Sequence, residues 1–173
     1  MVTLICATHR PLNQTQKVVN AYSNLLENKG VEHKVFSLED LPESFFSGVP
    51  FSGTSLGLQS VLDTFIVPSQ KLIIISPEYN GSYPGIFKAF LDSVKPSIWH
   101  GKKAALVGVA SGRAGNLRGM DHLTDVLHHL KVEVHSAKVP LSQIDALFSD
   151  DGTLDHTETL KVLENQWNVF EAF

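Results

Sequence analysis

The chain has 173 residues, and its fourteen lysines and arginines against eighteen aspartates and glutamates give a net charge of −4. That length suits one domain, and a composition 43% hydrophobic and 18% charged excludes a disordered chain and predicts a packed core. Without a basic excess there is no electrostatic grip for nucleic acid, and Cys6, the single cysteine, excludes an internal disulfide or a cysteine-rich zinc site, so the expected compartment is the cytoplasm.

In chain order, Val2 to Ala7 is a short apolar run with neither the basic start nor the cleavage site of a signal peptide, and it reads as a first strand. Val18, Tyr22, Leu25 and Leu26 lie at helical spacing before a stop at Asn28-Lys29-Gly30, and Val31 to Ser37 reads as a second strand. Ser44 to Leu62 lacks charge, but Gly48, Pro50, Gly53, Gly57 and its hydroxyl residues exclude a membrane span. Within the connection Pro42 to Gln70, the residues Phe45, Phe46, Val49, Phe51 and Leu56 exceed what an exposed loop carries. A symmetric dimer that buries them is one expectation; folding back onto the chain's own core is the other.

Leu72 to Ile75 has no polar interruption, the pattern of a strand covered on both faces. Ile86, Phe87, Phe90, Leu91 and Val94 mark a helix that ends before Pro96, and Ala104 to Ala110 is a fourth strand. Leu117, Met120, Leu123, Leu127 and Leu130 give an amphipathic helix, Val132 to Val139 a fifth strand, and Leu160, Leu163, Trp167 and Phe170 a closing helix started by Asp155 or Thr157. Strands alternating with helices imply parallel pairing through right-handed crossovers. The expected architecture is an α/β flavodoxin-like three-layer sandwich, residues 1–173 forming one domain around a five-stranded parallel sheet in the order 2-1-3-4-5 with helices on both faces.

Ligands in such a sheet bind outside the carboxyl ends of the strands, at the switch point between the first and third strands. That directs attention to three loops. The first, Ala7 to Thr15, runs into a helix, where free backbone N–H groups and the helix dipole favour an anion; Thr8, Arg10, Asn13 and Thr15 add donors suited to a terminal phosphate. Alternatively, Asn13 or Thr15 only caps the helix and Arg10 is a solvated charge. The second loop, Pro77 to Gly85, has an irregular backbone fixed by prolines and glycines, able to read the hydrogen-bonding edge of a flat heterocycle. A stiff turn would explain the prolines but not the crowding of Tyr79, Asn80 and Tyr83. The third loop, Ser111 to Gly119, allows close approach at its glycines yet matches neither the dinucleotide fingerprint nor a Walker loop.

Together these loops resemble the NADPH-dependent FMN reductase family. Pro77-Glu78-Tyr79-Asn80-Gly81-Ser82-Tyr83-Pro84-Gly85-Ile86-Phe87-Lys88 looks like its P-E-Y-N-x-S-x-P-G-x-x-K signature. Thr8, Arg10 and Thr15 match its phosphate loop, with Ala7 where members usually have glycine and Asn13 where they often have serine, and Ser111-Gly112 is similar to its segment beside the flavin ring. The resemblance implies FMN held by Thr8, His9, Arg10, Asn13, Gln14, Thr15, Pro77, Glu78, Tyr79, Asn80, Gly81, Ser111, Gly112, Arg113 and Gly115. It further implies NADPH or NADH as electron donor, a small-molecule electron acceptor such as a flavin, quinone or azo compound, and a homodimer or homotetramer. Hydride chemistry then belongs to the flavin, which accounts for the lack of an acid–base pair.

Other signals are weaker. Asp121, His122, Asp125, His128 and His129 share one helix without an H-E-x-x-H pattern, and read as a solvated face. Ser111 is not in a nucleophile elbow, and Cys6 reads as a small buried hydrophobe. A phospho-receiver would need acidic residues where Ala7-Thr8-His9 and Ser76-Pro77 stand. The rival within the fold is a flavodoxin-type electron carrier, which would bind FMN but oxidise no NAD(P)H unaided.

Overall fold

The computed structural model describes residues 1–46 and 55–173. Strands β1 (Val2–Cys6), β2 (His33–Ser37), β3 (Lys71–Pro77) and β4 (Lys103–Val109) are followed by two short strands, β5 (Glu133–Val134) and β6 (Val139–Leu141). The order is β2-β1-β3-β4-β5, β6 also lies beside β4, and every pairing is parallel. The helices are α1 (Gln14–Asn28), α2 (Glu43–Phe46), α3 (Leu56–Val61), α4 (Gly85–Ser93), α5 (Leu117–His129) and α6 (Thr157–Ala172).

The uninterrupted apolar runs of the strands are what a sheet buried on both faces requires, because side chains alternate sides along a strand. Leu4, Cys6, Ile73, Ile75, Ala105 and Val107 meet Val18, Tyr22 and Leu26 of α1 and Leu163, Trp167 and Phe170 of α6. Their alternates Ile5, Leu72, Ile74, Ala104 and Leu106 meet Phe87, Phe90 and Leu91 of α4 and Met120, Leu123 and Leu127 of α5. Helix α1 ends as its sequence predicts: Gly30 has φ 69°, and the Val31 N–H returns to the Leu26 carbonyl at 2.9 Å. Among the described residues no helix is long and apolar enough to cross a membrane.

Three features differ from expectation. First, the fifth strand is split. The His135 N–H still reaches the Ala104 carbonyl (2.8 Å), but the Ala137 N–H turns to the His135 ring Nδ1 (3.1 Å) and the Lys138 N–H to the Ser136 carbonyl (2.8 Å), so the backbone leaves the sheet. Gln166 of α6 fills the break: its Nε2 donates to the carbonyls of Leu106 (2.9 Å) and Ala137 (2.7 Å), and its Oε1 accepts from the Tyr22 hydroxyl (3.2 Å). Second, α6 is capped by His156, whose Nδ1 lies 3.4 Å from the Thr159 N–H, and not by Asp155 or Thr157.

Third, the connection after β2 contains α2 and α3, the latter running on through a π-helical turn at Leu62–Ile66. Phe45, Leu58, Leu62 and Ile66 fold onto the chain's own core, whereas Phe46 and Leu56 are exposed. Val49 and Phe51 lie outside the described residues. The turn is closed by Lys102, buried at the foot of β4, whose ammonium donates to the carbonyls of Ile66 (2.8 Å) and Ser69 (2.5 Å) while burial lowers its pKa.

Gln166 therefore joins α1, α6, β4 and the break in the fifth strand from a wholly buried position. Replacing it with leucine strands the Tyr22 hydroxyl and two carbonyls, and Gln166→Leu is expected to lower stability by about 2–5 kcal/mol in urea unfolding.

Candidate functional site

β1 lies between β2 and β3, with Cys6 in register with Ile75, and the Ala7 N–H extends the pairing to the Ile75 carbonyl (2.9 Å). Beyond that point the two chains part: one enters α1 on one face of the sheet, the other α4 on the opposite face. The crevice between them is the switch point that the strand order demands. A cleft of about 370 Å3 opens there, walled by Arg10 to Thr15, Pro77 to Tyr79, Val109 to Ser111 and Ile144. A second hollow of about 550 Å3 adjoins it, adding His9 and Asn80.

In the first loop, Thr8 and Thr15 are buried and His9 and Arg10 exposed. Asn13 is the helix cap: its Oδ1 accepts from the Gln16 N–H (2.7 Å), and its Nδ2 donates to the Arg10 carbonyl (2.7 Å) and to Glu39 (2.8 Å). The capping alternative is thus correct for Asn13, and it shapes the loop as well, tying the loop's backbone to the helix entrance. The N–H groups of Gln14 and Thr15 have no intrahelical acceptor at that position. Gln14 donates from Nε2 to Asp145 (3.1 Å), while its buried Oε1 has no partner. Leu12 holds a left-handed backbone (φ 55°) with a wholly exposed side chain, a strained arrangement at the cleft's rim.

The first and second loops are fastened together by side chains. The Thr8 hydroxyl and the Tyr79 phenol are 2.7 Å apart, the Arg10 N–H donates to Thr8 Oγ1 (3.2 Å), and the Arg10 guanidinium lies 5.8 Å from the Tyr79 ring centre. Pro77 is buried, and the half-buried Glu78 donates its N–H to the Val109 carbonyl (2.8 Å), carrying the sheet outward by one residue. Asn80 and Gly81 form a tight turn with φ of 53° and 78°, closed by paired hydrogen bonds between Tyr79 and Ser82 (2.8 and 3.1 Å). Asn80 is exposed, so turn geometry is itself a reason for the Asn-Gly pair.

In the third loop Ser111, Gly112 and Arg113 are exposed, and a Cβ at Gly112 would meet nothing within 4 Å. Gly115 is not among the residues walling either hollow. It is buried with φ 57°, and a Cβ there would lie 2.7 Å from Pro140, so the fold itself requires this glycine. Leu117 to Gly119 belong to α5 already.

The sequence did not mark Ile144, Asp145 or Glu39. Gln14 and Asp145 are 131 residues apart in the chain, and no local pattern announces such a pair. The segment after β6 is brought in by backbone bonds, Gln143 N–H to the Gly112 carbonyl (3.0 Å) and Ile144 N–H to the Ala110 carbonyl (3.1 Å).

Competing chemistries find little here. Among the described residues no His, Cys, Asp and Glu group has the makings of a metal site. On α5, Asp121 pairs with Lys138 (2.8 Å) and His122 with the Ser82 hydroxyl (2.9 Å). The Cys6 thiol is buried in the core, and burial pushes its pKa up to about 12, which leaves it unreactive as a nucleophile. His9 packs its ring against Phe46, with centroids 5.6 Å apart. The wide groove of about 840 Å3 between α1 and α6 shares no residue with the three loops and is bridged by the Lys29–Glu164 ion pair (2.8 Å).

The cleft thus offers a helix N-terminus with hydroxyl and guanidinium groups at one end, and rigid backbone beside open space at the other. The family model for NADPH-dependent FMN reductases matches residues 1–145. A 2-hydroxy-1,4-benzoquinone reductase from a Burkholderia species is 27% identical over 162 residues, covering 84% of this chain and 87% of the relative. An FMN-dependent NADPH-azoreductase of Staphylococcus aureus is 29% identical over 129 residues, 68% of this chain and 64% of its own. Among solved structures, the NAD(P)H:(acceptor) oxidoreductase FerB of Paracoccus denitrificans superposes with a TM-score of 0.74 at 26% identity, covering 98% of this chain and 93% of that one. A flavodoxin of Megasphaera elsdenii, at 14% identity and a TM-score of 0.59, shares the fold. The chain belongs to the NADPH-dependent FMN reductase family, whose members are FMN-dependent oxidoreductases supplied with electrons by NAD(P)H.

Proposed function

We propose that this protein is a cytoplasmic NAD(P)H-dependent reductase of small planar acceptors, quinones or azo compounds, acting as a homodimer or homotetramer of single-domain chains, residues 1–173. The observation that carries the reading is the meeting of the α1 N-terminus with Pro77 to Tyr79 of the second loop and Ser111, where the third loop begins, around one cleft. The quinone and azo chemistry of the two relatives supports the choice of acceptor.

The residues present fit FMN. The phosphate end would be met by the N–H groups of Gln14 and Thr15, the Thr15 hydroxyl and the Arg10 guanidinium, donors that suit a dianion at a helix N-terminus, with buried Thr8 holding the loop in place through Tyr79 and the Arg10 N–H. Asn13 keeps that turn in shape through its cap, and Gln14 ties Asp145 to the loop. At the other end the Pro77 to Gly81 backbone and Ser111, Gly112 and Arg113 would hold the ring system, and the space beside Gly112 lets it lie close to the backbone. His9 stands at the rim, and Gly115 acts indirectly, by keeping the third loop seated against Pro140.

When bound, FMN supplies the two-electron redox chemistry, accepting hydride from the nicotinamide and passing the electrons to the acceptor. What remains for this chain is to bind, orient and shield. Thr8, Tyr79 and Arg10 keep the two loops in fixed relation, and the paired hydrogen bonds between Tyr79 and Ser82 hold the turn of the second loop. A ring seated with one face against the second and third loops would leave the other face to donor and acceptor in turn. Exposed apolar side chains at Leu12, Phe46 and Leu56 support an assembly that covers this side of the molecule.

Two outcomes test the reading. Protein loaded with FMN should oxidise NADPH or NADH with a quinone or azo acceptor and give the parallel initial-rate lines of a ping-pong scheme; flavin-loaded protein that oxidises neither nucleotide would sink it. Arg10→Ala should weaken FMN binding by about 1.5–3 kcal/mol and leave riboflavin binding unchanged, since the lost contact is to the phosphate.

A further inference from the structure

Asn116 stands immediately before α5, wholly buried, in a left-handed backbone conformation with φ 64° and ψ 31°. Asparagine adopts that conformation more readily than other residues with a Cβ, so the backbone suits it. Its side chain points into the fold and not to solvent: Nδ2 donates to the carbonyl of Ser76 at 2.9 Å, and Oδ1 is buried without a partner. Ser76 sits near the end of β3, one residue before Pro77 opens the second loop.

Two glycines make the seat. A Cβ at Gly108 of β4 would lie 2.2 Å from the Gly115 carbonyl oxygen and 3.0 Å from the Asn116 Cβ. A Cβ at Gly119 of α5 would lie 2.0 Å from Asn116 Oδ1 and 2.8 Å from the Ser82 carbonyl carbon. The third loop is therefore pressed onto β4 at Gly108, and the first turn of α5 onto the second loop at Ser82. Asn116 is the side chain common to both contacts. The left-handed backbone suits glycine as well as asparagine, but only the side-chain amide ties the third loop to the end of β3.

We infer that Asn116 is a positioning residue for the flavin: through its bond to Ser76 and its glycine seat it sets the separation of Pro77–Ser82 from Ser111–Gly115, and so the width of the slot that takes the ring. The inference rests on the FMN-binding reading above, and it concerns the ring end of the site, leaving the phosphate end to the first loop.

The test is titration of flavin-free protein with FMN and with riboflavin, followed by flavin fluorescence, in the wild type, Asn116→Gly and Asn116→Asp. Glycine keeps the left-handed backbone and removes the side chain. Asn116→Gly should weaken both ligands by the same factor, about tenfold or more, because the phosphate contribution is intact. Asn116→Asp restores the bond only as a neutral acid donating its proton to the Ser76 carbonyl. Burial raises the pKa of such a carboxyl, so both affinities should be within about threefold of wild type at low pH and fall together as the group ionises with rising pH. A folded Asn116→Gly protein that binds both ligands like the wild type, or that loses FMN alone, overturns the inference. Should Asn116→Gly fail to fold, the aspartate variant decides: affinities equal to wild type at every pH overturn it. Wild-type protein that binds neither flavin removes the FMN reading itself.

Discussion

The structure depends on one constraint, the burial of β1 and β3 side by side with both faces covered. Neither strand has a polar face to offer to water, so each demands a helix layer on either side. The right-handed crossovers then send α1 and α4 to opposite layers. The loops must diverge where the strands end, and a crevice with backbone N–H groups along its rim is the result. The binding site is in this sense a by-product of how the core is closed.

What fills the crevice's rim follows from the same logic. A chain with a net charge of −4 has no general attraction for a phosphate, and here cationic and dipolar groups are gathered at a single helix entrance. The loops around it are held by short polar bonds: Asn13 at the cap, Thr8 against Tyr79, Glu78 against β4, Asn116 against β3. Such bonds fix the cleft without closing it, and the third loop beside it stays exposed at Ser111, Gly112 and Arg113. In the proposed function, exposed residues such as His9 and Arg113 would set the preference for the acceptor.

Much of this is legible in the sequence because it is dictated locally. Uninterrupted apolar runs identify strands buried on both faces, Asn28-Lys29-Gly30 ends α1 as a left-handed glycine should, and Asn80-Gly81 is a turn wherever it is placed between extended segments. The three loops follow from strand order alone. The parts that escaped depend on distant partners. The break in the fifth strand exists because Gln166, some thirty residues on, takes over the carbonyls of Leu106 and Ala137. Helix α3 has weak local signals, and the π-helical turn that continues it is fastened by Lys102, just before β4. Asp145 reaches Gln14 only after the whole sheet has formed. Gly115 and Gly112 look alike in sequence, yet one is required by Pro140 and the other by nothing in the fold.

In the proposed binding mode, FMN lies in the strand-end crevice with its phosphate on the α1 entrance and its ring between the second and third loops. A crystal structure of the FMN complex tests it most directly. The phosphate should lie within hydrogen-bonding reach of the Gln14 and Thr15 N–H groups and of Arg10, with the ring edge on the Pro77–Gly81 backbone. FMN seated in the groove between α1 and α6, or with its phosphate on the third loop, would contradict it.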